Sequence, residues 1–517
     1  MENANEEMAH RVLTVKLPKP SLKDNTGDVE RLKNGLSKMV QGESIHMDLS
    51  LVKEIPTLLR EWDYHVTCVL LKEGTRWAIA RVADGKVDRP VIGLAVDLGT
   101  TRVVVRLIDL RTKEALHESA FDNPQIRIGA DILARIHHGS TKAGLDHLNR
   151  LIIDGFNGEI KKGCDQCGIS PKEIYLMSVA GNTAMTHLFL GIDPRFIIRE
   201  PYIPAVNRPG VIKARSLGID IHPNANLFVF PNIGSYFGGD LIAGILYSGI
   251  HREEDTAILV DVGTNAEVVL GNNAWLIACA GAAGPALEGG ITKMGMMAGP
   301  GVIDKVQIDP KTRQFEIHTI EDKPPLGICG SGLIDLVAQL FLAGFVDVRG
   351  KFAPDICGEK LIEQNGIKAL IIVAESDSGT GKEIVLSQVD LDLFVSSKAA
   401  MYTILNTITG SVGTGFHDLK TFFVAGTFGS YIDPVSAITI GMLPDIPLEK
   451  YHVLGNSSLG GASLLLTHPE LLPEVDQIRN SITYLELNVN QDFMIRFSGA
   501  KFFPNTDASL FPSVKVP

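Results

Sequence analysis

A hairpin motif that occurs twice restricts the fold of this chain more than any other feature. GLAVDLGTTRVVVRLIDL (residues 93–110) and AILVDVGTNAEVVLGNN (residues 257–273) each contain an apolar strand, an aspartate, an apolar residue, Gly-Thr, a polar residue and a second apolar strand. A motif repeated in this way indicates a duplicated unit. We therefore expect an α/β protein with two similar lobes that face each other across a cleft.

The turn of each hairpin combines residue types that bind phosphate. Glycine lets the backbone approach a ligand closely, and successive turn amides form an anion-binding concavity. An aspartate at the strand end repels phosphate but suits Mg²⁺ held through water, which predicts a metal role for Asp97 and Asp261. The predicted phosphate-binding residues are Gly99, Thr100, Thr101, Gly263, Thr264 and Asn265. For a single copy, ordinary turn chemistry is an equal explanation, and the second copy favours the phosphate clamp.

A third segment fits the same ligand. In TFFVAGTFGSYIDP (residues 421–434) an apolar strand is followed by small residues and then by a helical pattern. Such a turn can accept a flat purine and its ribose against the backbone, and its candidate residues are Gly426, Thr427 and Gly429. The alternative is a buried strand-to-helix turn without a ligand.

Composition excludes several other classes of protein. The chain has 517 residues and a formal net charge of −12, which argues against non-specific binding of nucleic acid or of an anionic membrane. The start, MENANEEMAH, is not a secretory signal, and no apolar run is long enough to span a membrane. Six cysteines in so long a chain do not form a disulfide scaffold, so we expect a cytoplasmic protein.

Changes in composition and residue pattern along the sequence predict four regions of the chain. Residues 1–45 are polar and broken by Pro and Gly, which is typical of a linker. Residues 46–90 predict a small α+β module with one helix and alternating strands. Each hairpin then begins a lobe, at residues 91–254 and 255–517.

The two hairpins and the third segment together resemble the phosphate-1, phosphate-2 and adenosine elements of the ASKHA superfamily, which includes actin-like ATPases and sugar kinases. VAGNTAMTHLFLG (179–191) and HVLGNSSLGGASLLL (452–466) resemble its two lobe-connecting helices. More specifically, residues 278–306, 327–340 and 498–514 resemble the RACo-like and RamA-like reductive activators of corrinoid proteins. The resemblance implies a two-lobed, duplicated RNase H-like ATPase domain.

The same resemblance implies a function. Members use ATP to return a methyl-transferring corrinoid protein from Co(II) to Co(I), and a homodimer is expected. ATP and Mg²⁺ are the implied ligands, with Gly330, Ser331 and Gly332 near the adenosine. Asp131 and Asn182 are the candidates for orienting the attacking water.

The chain departs from the family in its cysteines. Members usually carry an iron–sulfur domain, but the cysteines here lack the C-x₄-C-x₂-C spacing of a plant-type ferredoxin. We expect no iron–sulfur cluster in this chain. Either the family's own ferredoxin domain has been lost or removed, or a separate donor such as a ferredoxin delivers the electron. Cys164 and Cys167 form a C-x-x-C pair that could bind metal, be redox active or share a cluster across a dimer. No second pair lies at zinc-site spacing, which favours a structural or incidental role.

Two other functions remain open from the sequence. The fold alone is compatible with a small-molecule kinase, which would form a phosphorylated product instead of free phosphate. A nucleotide-gated module that binds a corrinoid protein without significant turnover is the third hypothesis. Slow hydrolysis with strongly nucleotide-dependent binding would identify it.

Overall fold

The computed structural model describes residues 8–263, 265–281, 293–309, 311–426, 432–487 and 491–516, with the backbone alone for residues 491 and 492. Two compact units are present. The first contains the described residues up to Tyr247 together with Ser458–Asn480, and the second contains those of Ser248–Ser457 and Ser481–Pro517. No helix in these described ranges is both long and apolar enough to cross a membrane.

The strands are named in chain order. They are β1 (His10–Lys16), β2 (Ile45–His46), β3 (His65–Glu73), β4 (Arg76–Asp84), β5 (Ile92–Leu98), β6 (Arg102–Asp109), β7 (Ala115–Asp122), β8 (Ile174–Gly181), β9 (Gly210–Lys213), β10 (Asn226–Val229), β11 (Ala257–Val262), β12 (Ala266–Gly271), β13 (Leu276–Gly281), β14 (Val302–Ile308), β15 (Phe315–Thr319), β16 (Gly327–Ile328), β17 (Leu361–Gln364), β18 (Ile367–Val373), β19 (Ile384–Ser387), β20 (Phe422–Ala425), β21 (Tyr451–Gly455) and β22 (Ile482–Tyr484).

The helices are named in the same way. They are α1 (Asp28–Ser37), α2 (Leu49–Glu61), α3 (Ile132–His138), α4 (Lys142–Cys167), α5 (Thr183–Leu190), α6 (Gly239–Ser248), α7 (Gly330–Leu342), α8 (Pro354–Cys357), α9 (Gln388–Ser411), α10 (Pro434–Thr439), α11 (Ser457–Thr467), α12 (Leu472–Ser481) and α13 (Gln491–Ala500).

A small sheet with the order β1-β3-β4-β2 begins the first unit. It contains the predicted helix and alternating strands, as α2, β3 and β4. It also contains β1, which pairs along its whole length with β3, and its core includes the buried Leu32 and Leu36 of α1. The segment that the sequence assigned to a linker therefore supplies a strand and a helix to the same small fold.

The first hairpin lies at the centre of a six-stranded sheet in this unit. The order is β7-β6-β5-β8-β10-β9, in which β5 is antiparallel to β6 and parallel to β8. The core of this region includes Leu148, Ile152 and Phe156 on one face of α4. This helix contains the whole of LDHLNRLIIDGFNGEIKKG (residues 145–163).

The second hairpin occupies the equivalent position in the sheet of the second unit. The order is β21-β20-β11-β12-β13-β22, in which β11 is antiparallel to β12 and parallel to β20. In each sheet, the hairpin strand that carries the aspartate lies between its hairpin partner and a parallel strand. The internal repeat predicted from the sequence is therefore a repeat of sheet topology, as an α/β fold with a duplicated core requires.

A buried lysine fixes the carboxyl-terminal segment of the second unit. Lys398 of α9 is fully buried, and its ammonium donates to the carbonyl oxygens of Phe502 at 2.5 Å and Pro504 at 2.9 Å. Burial lowers the pKa of Lys398 well below its usual value. The segment that resembles the activator family's tail is therefore held through its backbone.

Candidate functional site

The first hairpin places a carboxylate and two hydroxyls at the carboxyl end of β5. Residues 99–101 form the turn between β5 and β6. A Cβ atom at position 99 would lie 2.1 Å from the carbonyl oxygen of Arg102, so only glycine fits this turn without displacement of its backbone. Asp97 is partly exposed, and its carboxylate accepts a hydrogen bond from the Ser458 hydroxyl at 2.9 Å.

The turn is held by side chains from three other segments. The Asn182 amide donates to the hydroxyl of Thr100 at 3.0 Å. Buried Arg135 donates to the Thr100 carbonyl at 2.7 Å, and Asn123 donates to the Gly99 carbonyl at 3.0 Å. Because these bonds use carbonyl oxygens and one hydroxyl, they fix the loop without using its backbone amides.

Parallel pairing explains why Asn182 reaches the turn. Leu98 pairs with Gly181 in the β5–β8 register, so the residues that follow both strands meet at one edge of the sheet. Asn182 is also the N-cap of α5, where its side-chain oxygen Oδ1 accepts from the backbone amide of Met185 at 2.9 Å. One side chain thus starts a helix and binds the predicted phosphate loop.

Asp240 is a residue at this edge that the sequence analysis missed. It lies in the first turn of α6, and the chain enters this helix in close contact with β8, since a Cβ at Gly238 would lie 2.3 Å from the Cα of Asn182. Burial and then the nearby charge of Asp97 raise the pKa of Asp240 to about 6. The Gly-Gly pair before Asp240 was the available sequence signal for a close backbone approach.

Asp131 has a local structural role. It is the N-cap of α3, where its exposed carboxylate accepts from the amide of Ala134 at 2.8 Å. Burial lowers the pKa of Arg135 to about 10, and the charge of Asp131 opposes this decrease. The contact with the phosphate loop is therefore made by Arg135, and a role of Asp131 toward water stays a prediction.

The second hairpin has a similar arrangement within its own unit. The amide of Gly263 donates to the carbonyl of Asn265 at 2.9 Å, which closes the turn after β11. The hydroxyl of Ser457 lies 3.5 Å from a carboxylate oxygen of Asp261. Thr264 lies outside the described residues.

Gly426 joins the third predicted segment to this hairpin. It follows β20 with a positive φ of 92°, and a Cβ there would lie 2.5 Å from the Val262 carbonyl oxygen and 2.7 Å from the Asp261 carboxylate. The glycine therefore permits a close approach of the two strand ends. Thr427 and Gly429, the other predicted adenosine residues, lie outside the described residues.

The Gly-Ser-Gly segment packs the start of α7. Gly330, Ser331 and Gly332 are all buried, and a Cβ at Gly332 would lie 2.4 Å from the carbonyl oxygen of Ile303. The neighbouring Cys329 thiol lies 3.3 Å from that same oxygen. The structure gives this segment a packing role against β14, and its proximity to adenosine stays a prediction.

The C-x-x-C pair lies in the last turn of α4. Cys164 is buried, and burial raises the pKa of its thiol to about 12. Cys167 is partly exposed, with its sulfur 3.9 Å from the Leu116 carbonyl oxygen. Within the described ranges, no group of three or more His, Cys, Asp or Glu side chains is placed to hold a metal ion.

Comparison with family models divides the chain into three consecutive regions. Residues 6–89 match the RACo linker region, residues 92–253 match the RACo middle region, and residues 255–515 match the C-terminal domain of RACo, the ASKHA domain.

Individual relatives agree with these matches. The corrinoid activation enzyme RamQ of Eubacterium limosum is 31% identical over 79% of this chain and 69% of its own length. The [Co(II) methylated amine-specific corrinoid protein] reductase of Methanosarcina barkeri is 26% identical over 76% of this chain and 73% of its own length.

A solved structure extends the likeness to the fold. The reductive activator for corrinoid, iron–sulfur protein superimposes with a TM-score of 0.89 and 36% identity, over 99% of this chain and 82% of that chain. Together with the family models, this likeness confirms the predicted resemblance and the ASKHA fold. The chain therefore belongs to the RACo family of reductive activators of corrinoid proteins.

Proposed function

We propose that this chain uses ATP to drive the reduction of a corrinoid protein of a methyltransferase system from Co(II) to Co(I). Membership of the RACo family supports the reaction, because two relatives are named for the activation or reduction of corrinoid proteins. The electron comes from a separate low-potential donor such as a ferredoxin. The step consumes one electron from this donor and adds it to cobalt.

The observation that carries the proposal is the edge of the first unit's sheet where β5 and β8 end. Asp97 and Thr100 of the first hairpin meet Asn182 and Asp240 there, from three segments far apart in sequence. Arg135 and Asn123 fix the carbonyl groups of this turn, and the amides of such a turn can form an anion-binding concavity. This chemistry suits the phosphates of a nucleotide.

The residues at this edge also fit Mg²⁺. Asp97 and Asp240 are oxygen donors, and desolvation together with the charge of Asp97 raises the pKa of Asp240. A cation would stabilise this pair of carboxylates. Mg²⁺ commonly takes one or two carboxylates and completes its shell with water and phosphate oxygens. When bound, the ion neutralises phosphate charge.

The other predicted residues have defined roles in this proposal. In the second unit, Asp261 acts toward Mg²⁺ as Asp97 does in the first. Phosphate is bound by Gly99, Thr100, Thr101, Gly263, Thr264 and Asn265. Adenosine is bound by Gly330, Ser331, Gly332, Gly426, Thr427 and Gly429.

Orientation of the attacking water is assigned to Asn182 and to Asp131, which lies at the start of α3. Water attack on phosphate depends more on positioning than on a strong base. Asn182 is suited to positioning, because the N-cap of α5 and the Thr100 hydroxyl fix its side chain from two sides.

ATP is needed because reduction to Co(I) is unfavourable without a bias. For a one-electron couple, a factor of ten in the equilibrium corresponds to about 59 mV. Preferential binding of the Co(I) state of the partner shifts this equilibrium toward reduction. A nucleotide supplies the bias when its binding changes the relative affinity of the protein for the two states.

The proposal is tested by product analysis. ATP is incubated with the chain, Mg²⁺ and a Co(II) corrinoid protein, and free phosphate and phosphorylated small molecules are both measured. We expect free phosphate, at a rate that increases when the corrinoid protein is added. A phosphorylated small molecule as the main product would contradict the proposal and identify a kinase.

A further inference from the structure

A cavity of about 320 Å³ lies on the small sheet of the first unit, away from the predicted nucleotide site. Its floor is the face of the sheet that points away from α1 and α2, and it carries Val12, Thr14, Thr67 and Val69. Its wall is the connection between β4 and β5. The size is within the range of small-molecule sites, which begins at about 300 Å³.

Four basic side chains line this cavity: Arg81, Lys86, Arg89 and Arg111. Their acidic partners are fewer. Arg81 and Arg89 approach the same oxygen of Glu173, at 3.3 and 3.7 Å, and Arg111 pairs with the largely exposed Asp88. The lining thus has a surplus of positive charge in a chain whose net charge is −12.

A neighbouring histidine, His222, has a pKa that is affected by one of these basic side chains, Arg81. The ring of His222 packs against the ring of Tyr175, a cavity residue, with 4.7 Å between centroids. Burial, and then the charges of Arg81, Lys172 and Lys213, lower the pKa of His222 to about 4. Burial is the larger cause of this lowered pKa, and the positive charge of Arg81, a cavity residue, adds to it.

Residues with hydroxyl groups also line the cavity. The hydroxyl of the completely buried Tyr175 accepts from Arg81 at 3.1 Å, which fixes the position of that guanidinium. The hydroxyls of Thr14 and Thr67 lie 2.8 Å apart on the floor. Arginine forks bind carboxylate and phosphate through paired hydrogen bonds.

We propose that this cavity binds a compact polyanionic small molecule that carries phosphate or carboxylate groups. The four basic side chains bind its charged groups, and the valine and threonine floor contacts its uncharged part. This site is separate from the proposed nucleotide site, since its lining is drawn from the small sheet, the segment 85–91, Arg111 and Tyr175.

Calorimetric titration of the full chain with pyrophosphate and with citrate, in EDTA at constant ionic strength, tests the proposal. The variant is Arg89→Ala, whose side chain is 56% exposed, and the matched control is Arg76→Ala on β4, outside the cavity and 49% exposed. We expect the wild type to bind at least one probe. We expect Arg89→Ala to weaken that binding about tenfold or more, and Arg76→Ala to leave it unchanged.

Each outcome has a defined meaning. If Arg89→Ala loses only pyrophosphate binding, the ligand carries phosphate, and if it loses only citrate binding, the ligand carries carboxylate. If it loses both, the cavity accepts either group. Lys86→Ala provides the same test if Arg89→Ala fails to fold. The proposal is overturned if neither probe binds, if binding is equal in Arg89→Ala and Arg76→Ala, or if only an acidic polypeptide such as polyglutamate binds.

Discussion

The side-chain amide of Asn182 donates to the hydroxyl of Thr100 at 3.0 Å, although 82 positions separate the two residues. The contact exists because β5 and β8 are parallel neighbours that end at the same edge of the sheet. It connects the predicted phosphate turn to the start of α5. The geometry of the turn therefore depends on a residue outside the hairpin.

Replacement of Asn182 separates its two contacts. Asn182→Ser retains a helix-capping oxygen but is too short to reach Thr100, so we expect weaker nucleotide binding with stability near that of wild type. Asn182→Ala removes both contacts and should also lose about 1 kcal/mol of stability, the usual cost of a lost N-cap. Equilibrium binding of ATP and urea unfolding measure the two effects. Equal nucleotide affinity in Asn182→Ser and wild type would show that the contact is dispensable.

Removal of the Asp97 carboxylate should make nucleotide binding insensitive to magnesium. We expect Asp97→Asn to lose about tenfold or more of the Mg²⁺-dependent gain in ATP affinity, because its amide is a poor ligand for the ion. Asp154→Asn, an exposed change on α4, is the control. Titrations of ATP with Mg²⁺ and with EDTA measure this gain, and an unchanged gain in Asp97→Asn would refute the metal role.

The raised pKa of Asp240 predicts a pH-dependent stability. The folded state holds this proton up to about pH 6, whereas an unfolded aspartate loses it near its ordinary pKa of 3.8. The folded chain therefore binds more protons between these values, and this group's stabilising contribution falls as pH rises from about 4 to 6.

Asp240→Asn isolates that contribution. The amide resembles the protonated acid, so the variant should match wild type at low pH and be more stable above about pH 6. Urea unfolding of both proteins, with EDTA present, at about pH 5 and about pH 8 measures the difference. A difference that does not grow with pH would mean that the Asp240 carboxylate is not destabilised by its surroundings.

Gly426 should tolerate no side chain. Gly426→Ala places a Cβ 2.5 Å from the Val262 carbonyl oxygen, at a positive φ, so we expect loss of ATP binding through displacement of the strand end beside Asp261. Gly413→Ala is the matched control, because Gly413 also has a positive φ but its Cβ would meet open space. If both variants bind ATP equally well, close approach of the strand ends is unimportant for the site.

The cysteines should differ in reactivity. Five are buried and Cys167 is partly exposed, and burial raises the pKa of the Cys164 thiol to about 12. Because the thiolate is the reactive form, we expect iodoacetamide to label the native chain at Cys167 alone. Mass spectrometry of the labelled peptides locates the modification. Equal labelling of Cys164 would show that the pair is open to solvent.

The hairpins could be predicted because their signal is local. Apolar strands flanking Asp-x-Gly-Thr specify a turn, and two copies specify a repeat, which the equivalent sheet positions of β5 and β11 confirm. Asp240 could not be predicted from its neighbours alone, because its relation to Asp97 is created by the parallel pairing of β5 with β8.

The amino-terminal segment contains more regular structure than its composition indicated. Pro18, Pro20 and Gly27 suggested a continuous linker, but Leu32 and Leu36 have helical spacing and are completely buried. The proline and glycine residues of this segment lie between a strand and a helix, so they do not indicate that the segment is unstructured.

The most direct test of the central claim is an anaerobic optical titration of a Co(II) corrinoid protein with a low-potential donor. The account predicts that the Co(I) spectrum appears when this chain, MgATP and the donor are all present, and that Asp97→Asn abolishes it. Formation of Co(I) from the donor alone at the same rate, or no spectral response under any condition, would contradict the account.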